Sequence, residues 1–389
     1  MPTLALDSAL RHAIELLRRA SITPADGPEN DGCQDYLEQQ LAPLGFTRRR
    51  IDMGGVTNSI YRRRGEKPGL FAFAGHTDVV PTGPLERWPH PPFAAVVENG
   101  VLFGRGAQDM KGSIACWLAA LETVIAAGTK LPSLQLLITS DEEGESIDGT
   151  IRLVEALQAS GELPDAALVG EPSSFAQVGD TIRRGRRGVA QAVLTFPGKQ
   201  AHSAYPEMGD NAIHRAAPIL ARIAAIDCGA PTPGFPPTTC QITNVSAGTG
   251  AMNVIPGSCR ATLDIRYNPA LDFAAIKAKV EAAVADNSVK IEMNHQANAF
   301  ATPDGPFLDL VCASIRRVTG IDTNRDTGGG TSDGRFLAAV GIPTVELGPL
   351  NTTIHQVGER IALEELSQLT AIYIDILNHF EAPISRSDS

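Results

Sequence analysis

Short apolar runs separated by segments of helical period dominate the first half of the chain. GLFAFAGH (69–76), SLQLLITS (133–140) and DAALVGEP (165–172) read as strands. Between them, DMKGSIACWLAALETVIAAG (109–128) and GTIRLVEALQASG (149–161) repeat their apolar residues with the helical period. This alternation predicts an α/β domain around a largely parallel sheet. It also says where chemistry belongs, because ligands of such sheets bind beyond the carboxyl ends of the strands. His76 and Asp78 stand at one such end, Asp141 to Glu143 at another and Glu171 at a third.

The pattern changes after about residue 182. RRGRRGVAQAVLTFPGKQ (183–200) has β-type alternation, NAIHRAAPILARIAAID reads as a helix, and TTCQITNVSAG and CRATLDIRYN read as strands. LDFAAIKAKVEAAVAD is then a helix and SVKIEMNHQ a strand, so the order is β-α-β-β-α-β. GAPTPGFPPTT (229–239) is a loop within it. From about 297 the α/β character returns with GPFLDLVCASIRRVTG, GIPTVELG and the closing helix LEELSQLTAIYIDILNHF. The expected fold is therefore α/β. A discontinuous mixed-sheet domain (1–182 and 297–389) carries an inserted α+β domain (183–296). The tail APISRSDS is expected to fray.

The 389 residues carry a formal net charge of -11, which disfavours a nucleic-acid or anionic-membrane partner. The six cysteines, at 33, 116, 228, 240, 259 and 312, form no CxxC pair. They read as reduced, mostly buried small side chains of a cytoplasmic protein. The opening residues have amphipathic helical character rather than that of a signal peptide. No run of about 18 apolar residues suggests a membrane span.

In an extended segment residues i and i+2 point the same way, so His76 and Asp78 share a side. A metal-bound imidazole commonly donates its other N–H to a carboxylate, which fixes the tautomer, and Asp78 would suit that role. Taken singly, each feature has a plainer reading. His76 and Asp78 are a satisfied polar pair, Asp109 an N-cap, Glu142 and Glu143 a solvated turn, and His355 a loop histidine. Together, two histidines and several carboxylates reach the strand ends of one sheet. Imidazole and carboxylate ligands suit zinc, and also cobalt or manganese. Such a set can hold two ions about 3.5–4 Å apart, with a spare glutamate as general base.

The segments GHTDVVPTG, GRGAQDMKGSIA, TSDEEGES, GEPSS and the late His355 resemble the dizinc amidohydrolase and aminopeptidase family, the M20 peptidase clan. The resemblance spans nearly the whole chain, including the inserted domain. It implies that Asp109 bridges two metals, that His76 and Glu171 complete one site, and that Glu143 and His355 complete the other. It further implies Glu142 as general acid/base, Asp78 as the residue orienting His76, and a cis peptide after Asp109. Loop residue His202 is implied to stabilise the oxyanion across a homodimer interface made by the inserted domain.

Within the clan, GDTIRRGRRG, KQAHSAYPEMGDNAIH, MNVIPG, DIRYN, GGGTSDGRF and GPLNTTIHQ are most similar to the branch acting on a small N-succinyl diamino dicarboxylate. That branch serves lysine and cell-wall precursor biosynthesis. The resemblance then implies substrate contacts from Arg186, Tyr205, Asn253, Arg266, Thr331 and Asn351. Met252 departs from the pattern, which has Asn more often at that position. The cluster Arg183, Arg184, Arg186 and Arg187 suits an anionic substrate, since arginine forks fit carboxylates; a solvated basic hinge is the plainer reading. TGGGTSDGRF lacks the Gly-Lys-Ser/Thr ending of a phosphate loop and reads as backbone brought close to substrate. The alternatives are an N-acetylornithine deacetylase, aminoacylase or carboxypeptidase chemistry on the same metal motifs, and a non-catalytic metal-stabilised dimer. A structural metal site needs no spare base, so Glu142 argues against the last.

Overall fold

The computed structural model describes residues 2–23 and 32–382, so the tail expected to fray lies outside the described residues from Pro383 on. The chain forms two compact units. One contains the residues up to Gly185, then Ala301–Asp326 and Ser332 onward; the other contains Arg186–Phe300 and Thr327–Thr331.

In chain order the first unit begins with α1 (Pro2–Leu17) and α2 (Cys33–Leu41), then β1 (Thr47–Arg50), β2 (Asn58–Arg63), β3 (Leu70–His76), β4 (Val96–Glu98) and β5 (Val101–Phe103). It continues with α3 (Lys111–Ala126), β6 (Ser133–Thr139), α4 (Thr150–Ser160), β7 (Ala166–Val169) and β8 (Thr181–Arg183). After the short β9 (Gly185–Arg186), the second unit contributes β10 (Gly188–Pro197), β11 (Ala201–His202), α5 (Ala212–Ala224), β12 (Thr239–Ala247) and β13 (Val254–Ile255). It closes with β14 (Ser258–Tyr267), α6 (Phe273–Val284) and β15 (Lys290–Ala297), and the short β16 (Phe300–Ala301) follows. The first unit then resumes with α7 (Pro306–Thr319), β17 (Asn324–Asp326), α8 (Gly334–Ala339), β18 (Thr344–Glu346), β19 (Arg360–Ala362) and α9 (Leu363–His379).

An eight-stranded sheet, ordered β1-β2-β6-β3-β7-β18-β8-β17, forms the first unit's centre. β6, β3, β7 and β18 run parallel to their neighbours in that series, whereas β1, β2 and β8 add antiparallel pairings. The sheet is thus mixed, with a parallel middle. Alternate residues of β3 serve opposite faces: Phe71 and Phe73 join the core under α3 and α9, and Ala72 and Ala74 join the core under α4 and α8. α3 is apolar nearly all round and buried along most of its length, as a core helix should be. Phe73 stacks on Trp117 of α3 at 4.7 Å between ring centroids. Such a pair adds about 0.5–1.5 kcal/mol beyond its buried area and holds α3 against the strand that ends in His76.

Two glycines make the closest approach possible. A Cβ on Gly75 at the end of β3, or on Gly170 just past β7, would run into the Met110 methyl group. Met110 follows Asp109, so both strand ends can close on that turn.

The second unit has the expected β-α-β-β-α-β order. Its antiparallel sheet runs β12-β14-β10-β15, and α5 and α6 cover one face through Ile219, Ile223, Ile276 and Val280 against Leu194, Phe196 and Leu263. β12 is an edge strand with mostly exposed side chains. A short ribbon, β11 with β13, carries His202 opposite Val254. Among the described residues no helix is long and apolar enough to cross a membrane. None of the six cysteines is in a disulfide; Cys33, Cys116 and Cys259 are buried and the other three half-buried.

Candidate metal centre

β6, β3, β7 and β18 end side by side on one edge of the first unit's sheet, with His76 level with Thr139 and Val169 level with both Ala74 and Glu346. β3 ends on His76. β6 leads into Glu142 and Glu143, β7 into Glu171, and the run after β18 carries His355. Asp109 comes from the turn between β5 and α3, and its peptide bond to Met110 is cis.

His76 is fully buried. Its Nδ1 lies 2.9 Å from the Asp78 carbonyl oxygen, which can only accept, so Nδ1 is a donor. Its Nε2 lies 3.2 Å from Asp109 Oδ1 and 3.5 Å from Glu171 Oε1. His355 Nε2 lies 3.0 Å from Glu143 Oε1 and 3.3 Å from Asp109 Oδ2. Each oxygen of Asp109 therefore faces a different imidazole. His76, Glu142 and Glu171 each offer a ligand atom within 4.8 Å of one another, and so do His76, Asp109 and Glu143.

The Asp78 carboxylate does something other than the sequence suggests. It lies 3.6 Å from His76 Nδ1, beyond hydrogen-bond range, whereas the residue's own carbonyl takes the ring. Its two oxygens instead accept the backbone N–H groups of Glu142 (3.2 Å) and Glu143 (3.0 Å). Two adjacent amide donors in the turn after β6 hold the carboxylate there.

The charges do not balance among these side chains. Burial and the nearby Asp109 push the Glu171 carboxyl up to about 7. Burial, with Glu171 next, pushes Glu142 well above the usual carboxylate range. Asp109 is held below that range: burial opposes its charge, but hydrogen bonds to His355 and His76 outweigh it. His355 is raised to about 10 by Asp109 and Glu143. Glu171 Oε1 is buried without a hydrogen-bond partner. Two imidazoles thus face four carboxylates, those of Asp109, Glu142, Glu143 and Glu171, so acids outnumber the donors that answer them. That surplus of acceptors fits a cation, and imidazole plus carboxylate ligands fit divalent zinc, cobalt or manganese.

A residue that sequence reasoning did not single out grips the Asp109 turn. Buried Glu359 accepts the backbone N–H groups of Gln108 (2.9 Å) and Asp109 (3.1 Å) on Oε1. On Oε2 it accepts Gly106 N–H (3.0 Å) and Arg105 Nη1 (2.6 Å). Neither GRG nor GER carries a period or spacing that could have revealed this, because 250 residues separate Glu359 from Asp109.

Of the other expected residues, Asn351 belongs to the first unit, where its N–H bonds the Ser174 carbonyl. The remainder lie in the second unit. There His202, Tyr205 and Asn253 are neighbours: the His202 and Tyr205 rings are 5.8 Å apart, and Ser203 N–H bonds the Asn253 carbonyl. His202 Nδ1 accepts Ala204 N–H at 3.0 Å, which leaves Nε2 to carry the proton. Buried Arg186 donates to the Gly328 carbonyl at 3.0 Å, in the segment that also holds Thr331. Arg266 is paired with Asp264 at 2.9 Å.

The four arginines of the sequence cluster do not act together. Arg183 pairs with Asp326 and lies over Phe175, Arg184 pairs with Asp304, and Arg187 donates to the Pro237 carbonyl. All four engage internal acceptors, Arg186 through the Gly328 carbonyl, so the cluster does not form one anion-binding patch.

The sequence signature of Peptidase family M20/M25/M40 matches residues 72–379. The chain is 45% identical over 381 residues to a succinyl-diaminopimelate desuccinylase of Halorhodospira halophila, covering 97% of this chain and 100% of that one. The fold is similar to an M20 family metallo-carboxypeptidase from Sulfolobus solfataricus, with a TM-score of 0.81 at 18% identity over 96% of this chain and 99% of the other. It is also similar to a dinuclear metal binding peptidase of the M20 family from Bacillus subtilis, with a TM-score of 0.66 at 17% identity over 97% and 98% of the two chains.

Proposed function

The chain belongs to Peptidase family M20/M25/M40, and from that premise we propose that it is a metal-dependent amide hydrolase that cleaves N-succinyl-LL-2,6-diaminopimelate to succinate and LL-2,6-diaminopimelate. The observation that carries this reading is the Asp109 carboxylate, its two oxygens facing His76 and His355 among a surplus of buried acids. The first unit is then the catalytic domain, and the second the dimerisation and lid domain.

His76, Asp109 and Glu171 would hold one divalent ion, and Asp109, Glu143 and His355 another, with zinc the preferred metal and cobalt or manganese able to substitute. When bound, the ions supply Lewis acidity toward the amide carbonyl and make water at the site more acidic.

Glu142 takes the proton of the attacking water and delivers it to the leaving amine nitrogen. Burial and the neighbouring Glu171 raise its proton affinity above that of an ordinary carboxylate. Asp78 holds the Glu142 and Glu143 backbone, and its carbonyl fixes the His76 tautomer. His202, with its proton on Nε2, is proposed to donate to the oxyanion from a second copy of the chain. The exposed edge strand β12 supports a homodimer through the second unit, because an open edge can pair with another strand. Arg186, Tyr205, Asn253, Arg266, Thr331 and Asn351 are proposed substrate contacts. Six cysteines outside any disulfide suit a cytoplasmic, reducing setting.

The test is succinate release from N-succinyl-LL-2,6-diaminopimelate by zinc-loaded protein, with N-acetylornithine in parallel. Fast turnover of the first and little of the second is expected. Preference for the acetylated compound would keep the metal chemistry and overturn the substrate.

A further inference from the structure

Four N–H donors converge on the Glu359 carboxylate, two on each oxygen. Three are consecutive or near-consecutive backbone groups of the turn that ends in Asp109. The main chain takes part as well: Gly104 N–H bonds the Glu359 carbonyl at 3.0 Å, and β19, which begins one residue later, pairs with β5, which ends one residue earlier. The whole 104–109 turn is thus wrapped around one side chain.

A second link starts from the same turn. Gln108 Oε1 accepts both Thr353 N–H (2.9 Å) and Thr353 Oγ1–H (2.6 Å). Thr353 Oγ1 in turn accepts Arg360 N–H at 3.2 Å, closing the base of the loop that carries His355. His355 itself sits at φ 60°, a left-handed conformation uncommon for residues other than glycine.

We infer that Glu359 is a positioning residue, with Gln108 its relay: Glu359 sets the direction of the Asp109 carboxylate, and the Gln108–Thr353 link ties that direction to the placement of His355. The inference rests on the two-ion reading of this site. The physical reason is the donor count. A carboxylate offers acceptors to all four donors, whereas an amide of the same shape must turn its own NH2 toward two of them. Arg105, buried over Trp88 with its centre 5.3 Å from the ring, supplies the compensating charge. Without the grip, Asp109 would keep its place in the chain but lose the orientation that puts one oxygen toward each imidazole.

The experiment is cobalt(II) titration of metal-free protein, followed by the visible absorption bands and by equilibrium dialysis, beside thermal melting of the metal-free forms. Wild type should take up two ions. Glu359→Gln should remain folded but bind with at least about 10-fold weaker affinity, with changed absorption bands. Wild-type affinity and spectrum in a folded Glu359→Gln protein would overturn the inference. If that variant does not fold, Gln108→Leu and Gln108→Glu decide the matter. Gln108→Leu should weaken cobalt binding and Gln108→Glu, which keeps the acceptor, should restore it; equal binding by both would overturn the inference. Failure of wild type to bind cobalt would instead overturn the metal-centre reading beneath it.

Discussion

Two buried histidines of the first unit, His12 and His76, invite comparison, for each is fully buried and each touches a carboxylate. His12, on α1, is satisfied at both nitrogens: Tyr36 Oη lies 2.7 Å from Nδ1, and Glu122 Oε1 (3.0 Å) and Arg11 Nη2 (3.1 Å) lie by Nε2. Glu122 is further served by Arg11 at 3.0 Å and by Ser8. Burial opposes its charge, but His12, Ser8 and Arg11 outweigh that and bring its carboxyl down to about 2. Around His76 the count runs the other way: more acids than donors, Glu171 pushed up to about 7, and one of its oxygens without a partner. A histidine beside an acid is therefore no sign of a metal. The sign is surplus acceptor, charge that the protein's own donors leave unanswered.

The largest effect should come from Glu142→Gln. It should lower kcat by about 10²- to 10⁴-fold, the usual contribution of a positioned acid/base, while elemental analysis finds metal content as in wild type. Near-normal turnover would remove Glu142 from the role. His202→Ala should lower kcat by about 10²- to 10³-fold, again with metal retained, and a KM effect without a kcat effect would refute it as an oxyanion donor. His12→Ala sharpens the contrast from the other side. It leaves Tyr36 without its buried partner and should cost about 1–3 kcal/mol of stability in denaturant melts, with metal content and kcat unchanged. A loss of metal in that variant would erase the distinction between the two histidines.

The smallest expected effect is the pH dependence of the metal-free protein. Glu171 is raised from 4.5 to about 7, so between those values the folded chain keeps a proton that the unfolded chain has released, and stability falls as pH rises. His355 is raised from 6.5 to about 10, and its contribution, full below 6.5, is likewise lost as pH rises through 10. Chelated wild type should therefore lose melting temperature from pH 5 to 9 more steeply than chelated Glu171→Gln, and added zinc should flatten the wild-type curve. Parallel slopes for the two chelated proteins would show that Glu171 is not the strained group.

Much of this was legible without coordinates. The alternation of apolar runs and helical segments told of an α/β sheet, and β3, β6, β7, β18, α3, α4, α7 and α9 all occur where the sequence pattern puts them. The outer strands were silent for a physical reason. β1 is Thr-Arg-Arg-Arg and β17 is Asn-Arg-Asp, edge strands whose exposed side chains carry no apolar signal. The segment 327–331, which joins the second unit, was silent too, since its glycines advertise a loop but not its neighbours.

What the sequence determined by itself was local: which runs become strands, which residues stand at their ends, and hence which ligating side chains are available. Local spacing suffices for that, because strand and helix periods are short-range properties. Only the tertiary structure decided that β7 and β18, whose ends lie at Val169 and Glu346, stand in register. The same holds for Asp109 turning one oxygen to each of two histidines, for the Asp78 carboxylate serving the Glu142–Glu143 turn rather than the His76 ring, and for Glu359 gripping a turn 250 residues away. These depend on the direction of individual lone pairs, which strand pairing and core packing set and no linear spacing encodes.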